Sequence, residues 1–341
     1  MEGQLVKGWG LGPSAMIEFL IEEMVKKAKR DAQMLRLGTS DLGPYAFENM
    51  MPWPLYRKVE AGPRVVTKNE VSPRDGSLIQ VRSVEDELPG MLEILATLVE
   101  RDDSVDHAYF CHPGVQHVGR LPHEQHFCGY KAIQMLISYI IAAKIPGHEQ
   151  FAGRIPGILQ LQGLIERAWN HGFGTIAGYE TGGIQGTRKW IGSAETSGFL
   201  RSLGMGISKI TSLKDDLVWT AWDRLVFLVE SYFRQGVTGP YKKTQKTLLP
   251  PLHLVRRGHV MVVIGLEILA SGPRSLLIFD PGYILAEKLS ISPASLLKMY
   301  RRGRRELGSY KEFAVIALRD CAPPPCKDPW TDVGQAPFLP P

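Results

Sequence analysis

The fold is decided by residues 127–136, FCGYKAIQML, where a cysteine stands at the start of a long apolar run. The run continues to Lys144 and is apolar on most sides, which predicts a buried helix over residues 129–144 with Cys128 at its N-terminal edge. The positive end of a helix macrodipole favours the thiolate form of a cysteine in that position. A free cysteine is more often a small buried side chain, so position alone does not establish Cys128 as a nucleophile.

A predicted hairpin late in the chain carries two further reactive groups. The apolar runs 260–269 and 275–280 flank the sequence Ala-Ser-Gly-Pro, which is typical of a turn between two strands. His259 precedes the first run and Asp280 closes the second, so strand pairing would bring them together at one end of the sheet. A carboxylate beside an imidazole fixes its tautomer and stabilises the imidazolium. Taken singly, His259 is also consistent with a satisfied polar residue and Asp280 with an Asp-Pro-Gly turn.

The order of these groups indicates a fold class. A cysteine on a helix, followed by a histidine and an aspartate on a hairpin, is the layout of a papain-like thiol hydrolase. Helical patterns come first along the chain and strand patterns come late, which is typical of an α+β fold. We therefore expect a papain-like fold in which the helical part carrying the nucleophile packs on a mainly antiparallel sheet.

Other stretches of the chain fill in this framework. Helical spacing and short apolar runs predict helices over residues 85–100, 157–170, 193–204, 222–234 and 293–305, and strands over residues 107–112 and 312–318. The Gly-rich residues 172–192 are predicted to form a loop. The basic run 301–305 is expected to be a solvated helix end, with nucleic-acid contact as the alternative.

Composition and spacing divide the chain into three parts. Residues 1–80 are predicted to form an N-terminal helix, over residues 14–36, and an extended connector without sustained periodicity, over residues 38–80. Residues 81–320 are expected to form the peptidase domain. The Pro-rich residues 321–341 are expected to be a disordered tail.

Composition excludes several classes of protein. With 341 residues, 44% of them hydrophobic, the chain is long enough for a large globular core. The longest apolar stretch is well short of the roughly 20 residues that cross a bilayer, so no membrane association is expected. A net charge of +5 is too small to indicate a nucleic-acid partner. Four cysteines are few for a secreted disulfide scaffold, so we expect a protein of the cytoplasm or nucleus.

One cluster of histidines and cysteines could suggest a metal site. It contains His107, Cys111, His112, His117, His123, His126 and Cys128. No pair among them has the spacing of standard zinc ligands, and the chain has no C-x-x-C pair. We therefore predict no metal and no cofactor.

Four segments resemble the UFSP/ZUFSP family of cysteine peptidases. Residues 127–136 are similar to its nucleophile segment, C-G-Y-R-N-x-Q-M-L, and residues 186–195, GTRKWIGSAE, to its G-T-R-K-W-I-G-T-x-E segment. Residues 258–282 resemble its block of G-H, I-V-G-I-E and L-L-I-F-D-P-G. Residues 111–117 fit its C-H-P-x-x-x-H sequence. The resemblance covers about residues 86–320, with its motifs in the family's order.

The resemblance implies an activity. Members specific for the ubiquitin-fold modifier have D-P-H, whereas this chain has Gly282 after Pro281 and its histidine at 259, as in the ZUFSP branch. A fungal-like member of that branch would be a deubiquitinase with Cys128, His259 and Asp280 as its triad. It would act as a monomer on ubiquitin or polyubiquitin, with lysine-63-linked chains preferred.

Two departures from the family pattern leave alternatives open. Lys131-Ala132 replaces Arg-Asn, and His126-Phe127 precedes the cysteine where animal members have Trp-Gly. The chain could therefore be a ubiquitin-binding module with weak catalysis. It could also be a protease for another ubiquitin-like modifier.

Further residues are assigned to catalysis and to the substrate tail. The oxyanion of an acyl-transfer step needs a second donor beside the Cys128 backbone N–H, and Gln125 is the candidate, with Gln116 in reserve. A slot that admits Gly-Gly should itself be lined by glycines, for which Gly182, Gly183 and Gly192 are candidates.

Glu195 and Trp190 complete the predicted substrate site. By resemblance Glu195 would pair with the arginines of the ubiquitin tail, and its alternative role is to complement a helix N-terminus. Trp190 would pack along the Gly-Gly slot, and its alternative role is that of a core aromatic residue.

Overall fold

The structure, a computed structural model, describes residues 37–71, 76–207, 210–285 and 292–319. The helix predicted over residues 14–36 and the Pro-rich tail, with Cys321 and Cys326, lie outside the described residues. Within the described ranges, none of the helices has the length and apolar character needed to span a membrane.

Helices and strands are interspersed along the described residues, so strands do not only come late as predicted: five precede the helix that begins at Cys128. The helices are α1 (Thr39–Leu42), α2 (Trp53–Ala61), α3 (Met91–Glu100), α4 (Cys128–Ala143), α5 (Ile158–Asn170), α6 (Thr175–Thr181), α7 (Ser193–Ser202), α8 (Ala221–Gln235), α9 (Pro293–Tyr300) and α10 (Arg304–Leu307), with a 3-10 helix at His148–Phe151. The strands are β1 (Val65–Val71), β2 (Leu78–Val84), β3 (Glu87–Leu88), β4 (Val105–Phe110), β5 (His117–Val118), β6 (Gly206–Ile207), β7 (Thr211–Lys214), β8 (Thr244–Lys246), β9 (Leu252–Arg256), β10 (His259–Leu269), β11 (Arg274–Phe279), β12 (Arg301–Arg302) and β13 (Glu312–Arg319).

The main sheet is organised around β10. Across the described residues it has nine strands, and its path runs β12-β11-β10-β9-β13-β6, with β4 also paired to β10 and β7 to β13. These pairings are antiparallel, and only β4 and β8 run parallel. Residues Val260 to Leu266 are buried, as expected for a central strand covered on both faces. Strand β10 therefore lies at the centre of the sheet against which helices pack.

Helix α4 packs against this sheet. Twelve of its residues, from Gly129 to Ile140, are buried, and the polar ones among them have partners inside the protein, such as Lys131 with Asp86 and Gln134 with the Pro156 carbonyl. The helix contacts β10 directly. The prediction of an α+β, papain-like fold, in which the helix that carries Cys128 packs on a mainly antiparallel sheet, is confirmed.

The structure corrects several expectations about secondary structure. Residues 38–80 were expected to be a connector, but they contain α1, α2, β1 and the start of β2, which pairs antiparallel with β1. The loop expected over residues 172–192 contains α6, and the helix expected over residues 293–305 ends at Tyr300. Arg301 adopts an extended backbone and pairs with Leu277 of β11, so sheet pairing takes the place of helical continuation.

Candidate active site

The nucleophile candidate lies where two segments meet. Cys128 is the first residue of α4 and is partly exposed, as is Gly192. Next to it, a Cβ on Gly129 would lie 2.5 Å from the Ile191 carbonyl oxygen, so only glycine allows this approach. This contact holds the backbone of residues 191–192 against the N-terminus of α4. The sequence motif around residues 186–195 is thereby brought to the thiol.

His259 and Asp280 meet at one end of the hairpin, as predicted. Strand β10 begins at His259 directly after Gly258, whose φ of +75° makes the tight turn from β9. The His259 Nε2 and Asp280 Oδ1 atoms are 2.8 Å apart. The backbone N–H of Gly282 donates to the same carboxylate oxygen at 2.9 Å. Cys128 interacts electrostatically with the His259 imidazole, which brings the three side chains into one array.

The electrostatics of this array favour a charged imidazole. Burial alone would lower the pKa of His259, but its hydrogen bonds and charge interactions with Asp280 and Cys128 raise the pKa to about 9. Burial opposes ionisation of Asp280, yet the His259 hydrogen bond and charge hold the pKa of that carboxyl below its ordinary value. An imidazolium between a carboxylate and a thiol is therefore the stable arrangement near neutral pH. That arrangement can stabilise a thiolate and later deliver a proton.

Arg302 lies close to the Asp280 carboxylate, which the sequence analysis did not predict. Its guanidinium lies 3.7 Å from Asp280 Oδ2 and is held by the carbonyl oxygens of Met299 and Arg301. The basic run 301–305 was expected to be a solvated helix end, but Arg301 pairs with Asp102 and Arg302 with Asp280. The charge run alone could not show these partners, since they come from distant parts of the chain.

Trp190 packs beside Gly258, the residue that precedes His259. Its ring packs against Gly43, where a Cβ would lie 2.4 Å from ring carbons, and approaches Gly258 at 3.9 Å by the same measure. Its backbone N–H donates to the Leu42 carbonyl at 2.9 Å. The ring is only partly buried, so it lines the site and also anchors residues 42–43 there.

The structure places Glu195 in its alternative role. Its side chain is buried, and Oε2 accepts a hydrogen bond at 2.7 Å from the backbone N–H of Gly192, the N-cap residue of α7. Burial raises the pKa of this carboxyl. The expectation of an acidic group presented to arginines of a substrate is not met, because the carboxylate turns back onto its own helix.

The predicted glycine slot is only partly assembled. Gly192 lies against the N-terminus of α4, through its neighbour Ile191. Gly183 lies elsewhere in the loop: its carbonyl accepts from Lys189 at 2.9 Å, and a Cβ there would meet Glu166 at 3.3 Å. The partly exposed Gly183 thus belongs to the support of the loop, whereas Gly192 is at the thiol.

The two candidates for the oxyanion donor lie at different ends of α4. Gln125 is exposed and stands three residues before Cys128. The Gln116 backbone N–H donates to Ser138, ten residues beyond Cys128, which is about 15 Å along a helix. The geometry favours Gln125, and its role as oxyanion donor stays a prediction.

Two members of the histidine and cysteine cluster, His117 and Cys111, are buried in the protein. His117 is buried, bonds to Tyr300 and to the Asp280 carbonyl, and burial lowers its pKa to about 4. Cys111 is buried as well, which raises the pKa of its thiol. Within the ranges that the structure describes, no group of three or more His, Cys, Asp or Glu residues could hold a metal ion.

A second missed group borders the thiol on the side of the N-terminal segment. Arg188 pairs with Glu48, with Nε 3.0 Å from Oε1, and its guanidinium lies 3.4 Å from the centre of the Tyr45 ring. Tyr45 also contacts the ring of His126, two residues before Cys128, with centroids 4.8 Å apart. The family motif contained Arg188, but nothing periodic in residues 38–80 pointed to its partners.

Comparison with known proteins places this geometry in context. Residues 104–316 match the profile of peptidase family C78. Zinc finger-containing ubiquitin peptidase 1 from Mus musculus is 29% identical over 202 residues, covering 58% of the chain and 35% of the relative. The protein of that name from Macaca fascicularis is 30% identical over 203 residues, with the same coverage. The chain thus spans about a third of the length of these curated relatives.

One solved structure is similar over much of the chain. It is the crystal structure of UfSP from C. elegans, with a TM-score of 0.43 and 13% sequence identity. The match covers 66% of this chain and 37% of that one.

Proposed function

The chain belongs to peptidase family C78, and on that premise we propose that it is a cysteine deubiquitinase acting on the isopeptide bond after the C-terminal Gly-Gly of ubiquitin. One observation carries this proposal: His259 is hydrogen-bonded to Asp280 and interacts with Cys128, and all three lie within the matched residues. The reactive end of the array is at the surface, where a flexible tail can reach it.

The proposed reaction uses each member of the array once or twice. His259 as imidazolium stabilises the Cys128 thiolate, which attacks the carbonyl carbon of the terminal glycine. The backbone N–H of Cys128 and the side chain of Gln125 donate to the resulting oxyanion. His259 then protonates the leaving lysine amine, and afterwards takes a proton from the water that hydrolyses the thioester. Asp280 keeps the ring oriented throughout.

Gly282 supports the assignment to the ubiquitin-specific branch. A Cβ at this position would lie 3.1 Å from Asp280 Oδ1 and 3.8 Å from His259 Cε1. A larger side chain at 282, such as the histidine of a D-P-H motif, would compete with His259 for the same carboxylate. This site therefore accommodates one imidazole, and it comes from β10.

The finer parts of the proposal concern chain type and location. We propose lysine-63-linked polyubiquitin as the preferred substrate and the cytoplasm or nucleus as the site of action. The mechanism supports the second point, since it requires Cys128 as a free thiol and a reducing compartment maintains one. A panel of linkage-defined diubiquitins and longer chains tests the first point: equal cleavage of all linkages would contradict the preference.

A ubiquitin probe with a C-terminal electrophile tests the activity. We expect covalent capture at Cys128, seen as a mass shift and mapped to the peptide that contains it. Cys111→Ala is the matched control, because Cys111 is fully buried and should not affect capture. Binding without capture would indicate a non-catalytic module, and capture only by another modifier's probe would indicate a different protease.

The Cys128→Ala variant gives the corresponding loss of function. It should abolish cleavage of ubiquitin conjugates while ubiquitin binding persists, since the thiol supplies the nucleophile and little contact area. Cleavage assays and titration calorimetry on the same preparation measure both properties. Unchanged turnover in this variant would refute the mechanism.

A further inference from the structure

One turn beyond Cys128, helix α4 carries a lysine that water does not reach. Lys131 Nζ lies 2.6 Å from Asp86 Oδ2 and 2.8 Å from Glu124 Oε2, and all three side chains are at most 3% exposed. We refer to Asp86, Glu124 and Lys131 as the buried ion cluster. Burial alone would lower the pKa of Lys131, but both carboxylates outweigh it and raise the pKa. The ammonium therefore stays charged inside the protein.

Stability alone does not explain the buried ion cluster. Desolvating charged groups costs free energy that their attraction often fails to recover, and apolar replacements of such clusters are often neutral or stabilising. The cluster is also imperfectly satisfied, since Asp86 Oδ1 has no hydrogen-bond partner. A buried ion cluster can instead fix the relative positions of the segments that carry its charges.

Glu124 connects the cluster to the segment before the nucleophile. Its Oε2 atom also accepts the Leu121 N–H at 2.8 Å, and its carbonyl accepts the Phe127 N–H. Lys131 in turn donates its own N–H to the Phe127 carbonyl at 3.0 Å. The residues directly before Cys128 are thus bonded to the lysine that follows it.

The same segment also holds the loop that carries Asp280. We call residues 117–124 the strap. At its start, His117 Nε2 lies 3.0 Å from the Asp280 carbonyl oxygen. Further along, the Arg120 Nε atom donates to the Gly282 carbonyl at 2.9 Å, and its backbone N–H donates to Tyr283 at the same distance. One end of the strap therefore holds residues 280–283, which we call the acid loop, and the other holds helix α4.

Asp86 ties the middle of the strap to the same cluster. Its carbonyl oxygen accepts the Gly119 N–H at 2.9 Å, while its carboxylate accepts from Lys131. A Cβ on Gly119 would lie 2.5 Å from the Tyr283 carbonyl oxygen, so the strap and the acid loop are in close contact. The cluster, the strap and the acid loop form one connected assembly.

We propose that Lys131 is a positioning residue, which acts with Asp86 and Glu124 through the strap to fix the Cys128 thiol relative to the His259–Asp280 pair. A displacement of about 1 Å in a reacting group can cost on the order of a hundredfold in rate. For turnover this inference rests on the proposed function. For the reactivity of the thiol it does not, because alkylation needs no ubiquitin.

The test measures alkylation of Cys128 by iodoacetamide as a function of pH, followed by mass spectrometry of the peptide that contains it. In Glu124→Gln the rate at pH 7 should fall about tenfold and the profile should move to higher pH, since the thiolate–imidazolium pair is less populated. Lys131→Arg should keep the wild-type profile, because a guanidinium can still bridge both carboxylates. For turnover, the expected effect of Glu124→Gln is on kcat, with KM unchanged.

A matched control separates positioning from a general loss of a buried carboxylate. Glu267 is also buried and paired with a cation, but it lies eight residues from His259 along β10, or about 27 Å. Glu267→Gln should leave the alkylation profile unchanged. Arg120→Ala loosens the other end of the strap at a partly exposed site and should shift the profile in the same direction as Glu124→Gln.

Two results would overturn the proposal: a wild-type profile in Arg120→Ala and Glu124→Gln, or an equal shift in Glu267→Gln. If Glu124→Gln does not fold, Arg120→Ala decides alone. A wild-type protein that cleaves no ubiquitin conjugate, but whose thiol responds to these variants as expected, would refute the proposed function and leave the positioning role intact.

Discussion

Strand β10 has an acid–base pair near each end, and the two pairs differ in what their cation can do. At its start, His259 pairs with Asp280 at 2.8 Å, with 18% and 15% of the side chains exposed. Near its other end, Glu267 is fully buried and accepts a hydrogen bond from Arg301 at 2.9 Å. A guanidinium remains charged at all accessible pH values, whereas an imidazole can release its proton.

The two pairs differ in whether the charge of their cation is permanent. Arg301 is held by two carboxylates, those of Glu267 and Asp102, and its charge is permanent. His259 is held by one carboxylate and a thiol, and its proton can move between states. One sheet thus holds a permanently charged pair near one end and a titratable pair at the other. The following predictions test this division, from the largest expected effect to the smallest.

Neutralising the acid at each end should have opposite consequences. Asp280→Asn removes the charge that orients His259 and should lower turnover by about 10³- to 10⁴-fold, as expected when a triad carboxylate is lost. Glu267→Gln should leave turnover near wild type and lower the free energy of unfolding by only about 1 kcal/mol, because Arg301 keeps its pair with Asp102 and burial raises the pKa of Glu267. Steady-state kinetics and urea denaturation of both variants measure this contrast, and a large loss of turnover in Glu267→Gln would contradict it.

The His259–Asp280 pair should also make the free energy of unfolding decrease at alkaline pH. The folded-state pKa of His259 is raised from 6.5 to about 9, so its charge stabilises the native state fully below pH 6.5. This contribution, about 3 kcal/mol at most, is lost as the pH rises through 9. Urea denaturation between pH 6 and 10 measures it, with His259→Asn as the reference. Parallel curves for the two proteins would show that the pair adds no such stabilisation.

A pair of glycines tests packing at the reactive end. Gly43 and Gly62 both have positive φ, +77° and +64°, but only Gly43 has a neighbour, the Trp190 ring, within 4 Å of a Cβ. Both alanine variants should lose about 1–3 kcal/mol from backbone strain, because ψ near 180° at this φ is a conformation that essentially only glycine adopts, and Gly43→Ala should lose about 1–2 kcal/mol more from overpacking. Gly43→Ala should also raise KM by displacing Trp190 beside Gly258. Equal stability and equal KM in the two variants would show that the Trp190 contact is unimportant.

Part of this site was predictable because its signals are local. The run that is apolar on most sides predicted a buried helix over residues 129–144 with Cys128 at its N-terminal edge, and the turn after residue 269 predicted the hairpin that joins His259 to Asp280. Trp190 was predicted to lie along the site, and it packs next to Gly258. In each case the periodicity or turn chemistry of neighbouring residues carried the information.

Other parts were not predictable, because they depend on pairs far apart in the chain. Glu48 and Arg188 are 140 residues apart, and Arg302 reaches Asp280 only after α9 ends and β12 pairs with β11. Glu195 has the right charge for a substrate contact, but its carboxylate is used to cap its own helix. Residue type alone does not distinguish an exposed acid from a buried one.

The sequence by itself determined the reactive groups and the elements that carry them: a thiol at a helix start, and an imidazole and a carboxylate at the ends of paired strands. Only the tertiary structure decided what surrounds them, namely the Trp190 ring, the Arg302 contact and the cluster around Lys131. The physical reason is that element type follows from the spacing of neighbouring apolar residues. The partner of a buried charge, in contrast, is selected by the packing of segments that meet only in the folded chain.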